Sequence, residues 1–156
     1  MTAQISEKAP TFALPQAPGE VVDMADVFGT GPVVLLFFPL AFSPVCTTEF
    51  CTFRDGWAEW EGLGAKVFGI SIDSPFVAAK FREAENLPFP LLSDFNKEVS
   101  AQYGALHEDL MGLKGVAKRS AFVINTNGEI TYAWISDDPG VQVNFDEIKA
   151  AIGADS

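Results

Sequence analysis

Positive charge is scarce in this chain. Ten Lys and Arg residues stand against 21 Asp and Glu, giving a formal net charge of −11 at pH 7. Such a balance repels phosphate backbones and anionic membrane surfaces and leaves no basic patch to seed nucleic-acid binding, so neither nucleic acid nor membrane is expected as a partner. The excess reads as a solvated acidic surface or as adaptation to a salty cytoplasm. Histidine occurs once, as His107, and cysteine twice, as Cys46 and Cys51. These three cannot assemble a four-ligand zinc site without carboxylates, and their spacing fits no usual zinc pattern; no metal and no cofactor is expected. No apolar run reaches the roughly 18 residues of a membrane span, and the opening MTAQISEKAP lacks the basic-then-apolar order of an export signal. A cytoplasmic protein is expected. In a reducing compartment two cysteines indicate redox or catalytic chemistry rather than a stability bridge.

Apolar residues, by contrast, make up 48% of the 156 positions. That suffices for a single domain spanning 1–156, able to bury about 70% of its unfolded surface. Short apolar runs at 11–14 and 20–24, separated by Pro15, Pro18 and Gly19, suggest a small antiparallel ribbon. The continuous run VVLLFF at 33–38, bounded by prolines, has the pattern of a strand buried on both faces, and 66–72 resembles it. Between them Phe50, Phe53, Trp57 and Trp60 recur at helical spacing within 44–61. Ser74-Pro75 opens a further helix that carries Phe76, Val77, Phe81 and Ala84 and runs to about residue 86. A short strand at 90–92, a helical turn at 97–103, a hairpin of 120–124 and 130–135 joined through Asn127-Gly128, and an amphipathic helix at 145–152 complete the reading. Alternating strands and helices followed by a hairpin and a helix define an α/β fold with a mixed sheet, arranged as in thioredoxin.

The segment FFPLAFSPVCTTEFC carries the chemistry. Ser43 is a favoured N-cap and Pro44 suits the first helical position, which places Cys46 in the first turn of the helix. Backbone N–H groups there have no intrahelical partner and the helix dipole is positive, so a thiolate is favoured over a thiol. The Ser43 hydroxyl shares that pocket and Pro39 closes it on the strand side. The bland alternative is a small buried cysteine near an ordinary cap.

Pro39, Ser43 and Cys46 together resemble the Pro-x-x-x-Thr/Ser-x-x-Cys signature of the peroxiredoxins, and the preceding FFPLAF, the following LPFPLLSD from Leu87 and Arg119 at the head of a later strand agree with it. The resemblance covers residues 5 to 150. It implies a thioredoxin fold and a cofactor-free peroxidase acting on hydrogen peroxide, organic hydroperoxides or peroxynitrite. It further implies that Cys46 is the peroxidatic nucleophile, Ser43 the orienting hydroxyl, Pro39 the shield, Arg119 the cation beside the sulfur, and Glu49 the carboxylate that fixes the arginine. Arg54 is open between a pair with Glu49 and a solvated position.

Cys51 follows Cys46 by five positions, which in a helix sets their Cα atoms roughly 8–9 Å apart on different faces. A disulfide accepts separations up to about 7 Å, so a bond between them requires the helix to unwind. The spacing resembles the peroxiredoxin Q, or bacterioferritin comigratory, group, where the second cysteine resolves the sulfenic acid within the chain. FFPLAFSPVC and LPFPLLSD look more like the one-cysteine alkyl hydroperoxide reductase E branch. Cys51 is thus either resolving or a packing residue, with thioredoxin, a similar dithiol or a low-molecular-weight thiol as reductant and a monomer or homodimer as the assembly. A noncatalytic redox sensor is the alternative from another class. His107 reads as a solvated loop residue, and Trp57, Trp60 and Trp134 as core or interface packing.

Overall fold

A computed structural model describes residues 4–153; the first and last three residues of the expected 1–156 domain lie outside them. The run VVLLFF forms β3 (Val33–Phe37), every residue of which is buried. Its side chains alternate between two cores, as strand geometry requires. Val34 and Leu36, with the following Phe38, face one core, and Val33, Leu35 and Phe37 face the other. β4 (Lys66–Ser71) pairs parallel to β3, and β5 (Leu91–Ser93) parallel to β4. On the other side β6 (Ser120–Ile124) and β7 (Ile130–Ile135) add antiparallel, giving the order β5-β4-β3-β6-β7. The mixed sheet of the sequence reading is thereby present, and β3 lies at its centre.

Four helices, α1 (Pro44–Asp55), α2 (Trp57–Gly62), α3 (Pro75–Ala84) and α5 (Phe145–Gly153), contribute to the core on the first face through Phe50, Phe53, Trp60, Phe81 and Ile148. The opposite face is covered by Phe12, Met24 and α4 (Glu98–Gln102), with Tyr103 beyond it. Ser74 caps α3 as expected, accepting a hydrogen bond from the Val77 N–H.

Three expectations shift. The helix read across 44–61 is broken at Gly56, whose φ of −101° and ψ of 18° leave the helical region, so Phe50 and Phe53 belong to α1 while Trp57 and Trp60 belong to α2. Hydrophobic spacing survives such a break because both pieces pack on the same core. In the ribbon, β1 (Ala13–Ala17) starts later than the apolar run at 11–14, and Pro15 lies inside it opposite Val21 of β2 (Glu20–Asp23). A two-stranded ribbon has an open edge, where proline's missing N–H is tolerated. Phe76, read as part of the apolar face of α3, is 72% exposed; Ala78 and Phe81 form the buried face instead.

Gly69 in β4 is where the sheet meets α1. A Cβ there would lie 2.6 Å from Leu91 Cδ2 and 3.2 Å from Phe50 Cζ. Gly69→Ala should therefore lower stability by about 1–3 kcal/mol through overpacking. The expected readout is a lower urea midpoint at unchanged m-value; an unshifted midpoint would show that the interface has slack.

Candidate active site

The chain leaves β3 into the short loop 38–43, which is tied to the end of β4. The Ala41 N–H donates to Asp73 Oδ2 at 2.8 Å, and the Ser71 hydroxyl donates to the same oxygen at 2.7 Å. Phe42 takes a left-handed φ of 67°, strained for an aromatic residue, while its ring rests on Phe81 at 4.9 Å. Ser43 stands at the N-cap position of α1 and Pro44 at the first helical position. The serine does not cap with its side chain, however. Its hydroxyl donates to the Leu40 carbonyl at 2.8 Å, because the turn brings that carbonyl within reach. With no acidic residue in the first turn either, neither the cap residue nor the first turn of α1 supplies a side-chain acceptor for the leading N–H groups, and Cys46 lies at this positive end of the helix.

Cys46 is fully buried in this turn. Arg119, placed immediately before β6, donates from Nη2 to Cys46 Sγ at 2.9 Å and from Nη1 to Glu49 Oε2 at 3.3 Å. Its Nε donates to the Pro139 carbonyl at 3.1 Å, and the second Glu49 oxygen, Oε1, accepts from the Val143 N–H at 3.0 Å. Glu49 and Arg119 are both buried, and burial pushes the Glu49 carboxyl upward while Arg119 and the Val143 N–H pull it down. The guanidinium is thus held by Glu49 and the Pro139 carbonyl, with Nη2 presented to the sulfur. Pro39, Ser43 and Arg119 border a cleft of about 260 Å³ whose other wall is Leu110, Met111 and Leu113. Of the residues read from the sequence, Pro39, Ser43 and Arg119 meet at this cleft, Arg119 connects it to Cys46 and Glu49, and Cys51 lies apart against Glu85.

Cys51 lies in the same helix, half-buried, and both cysteines are free thiols. Its Sγ meets Glu85 Oε2 at 3.5 Å rather than Cys46. Arg54, open between two roles in the sequence, donates to the Glu85 carbonyl at 2.8 Å and pairs with Asp55 at 3.0 Å, leaving Glu49 to Arg119. His107 departs from the solvated reading: it is 6% exposed, and its Nε2 meets no hydrogen-bond partner among the described residues. Val116 and Gly115 draw it inward through backbone bonds on both sides. Trp60 is core, and Trp57 and Trp134 pack against that core half-buried.

Asp73, the Pro139 and Val143 backbone groups and the Leu110–Leu113 wall escaped the sequence reading. They act through backbone contacts or from loops with no local pattern. Among the described residues no cluster of His, Cys, Asp and Glu is arranged to hold a metal, and no helix is long and apolar enough to cross a membrane.

A central mixed sheet with a buried cysteine at a helix start and an arginine against its sulfur defines a thioredoxin-fold thiol enzyme. Comparison with known proteins narrows the class. The AhpC/TSA family profile matches residues 5–133. The chain is 35% identical over 140 residues to peroxiredoxin Bcp of Bacillus subtilis, covering 86% of each. It is 38% identical over 129 residues to peroxiredoxin Bcp of Escherichia coli, covering 81% of each. The crystal structure of peroxidoxin BcpB from Mycobacterium tuberculosis superposes with a TM-score of 0.84 at 34% identity, over 97% of both chains. The chain belongs to the AhpC/TSA family of peroxiredoxins and is a thiol-dependent peroxidase, with a peroxide as substrate and a thiol as reductant.

The buried His107 gives a prediction. Burial, with Lys118 adding to it and Asp137 opposing, holds its pKa below the ordinary 6.5. Well above pH 6.5 it is neutral in both folded and unfolded chains, so its titration contributes nothing to stability there. As pH falls below 6.5 the unfolded histidine takes up a proton first, so stability declines until the lower folded value is passed. His107→Gln should reduce the loss in urea midpoint between about pH 7.5 and about pH 5. An identical loss in the variant would place the acid sensitivity elsewhere.

Proposed function

We propose that Cys46 is the peroxidatic cysteine and that Arg119, Ser43, Pro39 and Glu49 serve it. The observation that carries this reading is the 2.9 Å contact from Arg119 Nη2 to Cys46 Sγ, made between two buried groups. The Cys46 thiolate attacks one peroxide oxygen: an S–O bond forms, the O–O bond breaks, and the departing alkoxide or hydroxide takes a proton and leaves as alcohol or water. Cys46 becomes the sulfenic acid. Negative charge moves from sulfur to the leaving oxygen during this step, and fixed guanidinium donors stabilise it along that path without reorganising. Glu49 and the Pro139 carbonyl hold the guanidinium still. The Ser43 hydroxyl, now turned to Leu40, orients the peroxide, and Pro39 shields the sulfur from bulk water.

Cys51 then resolves the sulfenic acid. Its sulfur displaces the sulfenic hydroxyl, a Cys46–Cys51 bond forms and water leaves, and a thioredoxin-like dithiol or a low-molecular-weight thiol supplies two electrons to restore both thiols. α1 holds both cysteines in one regular helix, so the first turns unwind before the sulfurs meet. The protein acts in the cytoplasm as a monomer or homodimer.

Cys46→Ser should abolish peroxide consumption, whereas Cys51→Ser should still consume one equivalent at the normal initial rate and then overoxidise to sulfinic acid. Peptide mass analysis after one equivalent of hydrogen peroxide should show a loss of two hydrogens across a Cys46–Cys51 peptide. A gain of one oxygen on Cys46 with no such peptide would assign the chain to the one-cysteine type, resolved by an external thiol. Single turnover followed by a need for a protein partner would mark a sensor instead.

Arg119→Ala should slow the first step by about 10²–10³-fold, as for loss of a fixed transition-state donor. Arg54→Ala, which lies in the Glu85 cluster, should change it far less. Stopped-flow consumption of peroxide under single-turnover conditions checks both, and equal losses would remove Arg119 from its assigned place.

A further inference from the structure

α1 presents a second cluster, built on Cys51. Cys51 and Arg54 are three positions apart and so share a helix face, and both meet Glu85, the residue that ends α3. Cys51 Sγ donates to Glu85 Oε2 at 3.5 Å, Arg54 Nη1 donates to the Glu85 carbonyl at 2.8 Å, and Arg54 Nη1 lies 3.8 Å from Oε2. The Glu85 side chain is 28% exposed, so the contacts are partly shielded from water. Nothing in the first chemical step uses this cluster.

Two roles fit a carboxylate beside a resolving thiol: accepting its proton during attack, or restraining it beforehand. Geometry separates them. Cys51 must travel from α3 towards Cys46, across a gap of about 8–9 Å between Cα atoms, before any S–S bond forms. Glu85 is fixed where α3 ends and meets Cys51 while α1 is a regular helix, so a thiol that crosses this gap leaves the carboxylate behind. The contact exists only in the helical, pre-reaction form.

Resting on the assignment of Cys51 as the resolving thiol, we propose that Glu85 is a positioning residue which parks Cys51 and Arg54 on the end of α3 and thereby brakes the opening of α1 for disulfide formation. The charged groups around the thiol are Glu85 from α3 and Arg54 and Asp55 from α1 itself. Burial first, then the Glu85 hydrogen bond, push the Cys51 thiol up; Arg54 opposes and Asp55 adds slightly. The parked thiol is therefore protonated and a poor nucleophile. While it waits, the Cys46 sulfenic acid can meet a second peroxide, forming sulfinic acid and an alcohol or water. Glu85 thus sets the division between recycling and overoxidation.

The test compares the full-length wild-type chain with Glu85→Gln, which keeps the shape and removes the charge, and Glu85→Ala, which removes both. After mixing with hydrogen peroxide, rapid acid quench and peptide analysis give the rate of Cys46–Cys51 bond formation, normalised to the first step measured in the same variant. Glu85→Gln should speed it by about 3- to 10-fold, the worth of weakening one charge-assisted hydrogen bond to Cys51 and losing a partly exposed ion pair with Arg54, whose bond to the Glu85 backbone carbonyl remains. The pH profile of bond formation should move to lower pH, and less sulfinic acid should form at a fixed excess of peroxide. A parallel measurement alkylates Cys51 in a Cys46→Ser background, where Glu85→Gln should raise the rate near neutral pH. Unchanged or slower bond formation in both variants overturns the brake, and slower formation identifies Glu85 as the proton acceptor. Failure of the wild type to form any Cys46–Cys51 bond overturns the brake together with the resolving assignment. That case is recognised because alkylation still reports whether Glu85 holds the thiol.

Discussion

A buried guanidinium is the constraint on which the site depends. Arg119 has 1% of its side chain exposed, a position that is tolerable for a permanent cation only when its donors find partners. Those partners come from distant parts of the chain: Cys46 and Glu49 lie 73 and 70 positions away, and the Pro139 carbonyl 20 positions the other way. Meeting them fixes the first turns of α1 against the head of β6 and against the loop after β7. Glu49 extends the tie to the Val143 N–H, just ahead of α5. The same contacts that make the cation affordable aim one of its edges at the sulfur.

The two thiols make opposite demands on α1. Cys46 is served by an intact first turn, which holds it buried against the Arg119 guanidinium. Cys51 can reach it only when that turn is lost. The helix is anchored through aromatic packing of Phe50 on Phe38 at 4.7 Å and of Phe53 on Trp60 at 4.6 Å, while its N-terminal end carries no side-chain cap. Of these anchors Phe53 lies beyond the segment between the two cysteines and Phe50 lies inside it, so in the proposed cycle the rearrangement gives up the Phe50 packing as well as the Arg119 and Glu49 contacts.

The central strand, the hairpin and the helix bearing Cys46 were legible in the sequence because each rests on local pattern: a continuous apolar run, an Asn-Gly turn, a Ser-Pro helix start. Pro39, Ser43 and Cys46 were legible for the same reason. The placement of Arg119 against Glu49 and Cys46 came through resemblance and not from spacing, since residues 70 or more apart carry no periodic signal of contact. What the sequence hid was of two kinds. Gly56 breaks a helix without interrupting its apolar rhythm, and Ser43 spends its hydroxyl on Leu40 although its residue type favours capping. His107 sits in a polar stretch yet is drawn inside by its own backbone bonds to Val116 and Gly115, and Glu85 joins Cys51 only because α3 ends beside α1.

Phe50 lies between the two cysteines and is wholly buried in the reduced chain, its ring against Phe38 and Phe89. In the proposed cycle, bridging Cys46 to Cys51 pulls the intervening residues out of helical register, and this ring passes into water once per turnover. When reductant runs short the oxidised form accumulates with a sticky surface, and self-association becomes a matter of supply and demand for electrons. The net charge of −11 opposes that outcome, since like-charged molecules approach one another reluctantly. In that proposed cycle the acidity of the chain acts as colloidal protection for the oxidised form, and this protection weakens as salt screens it.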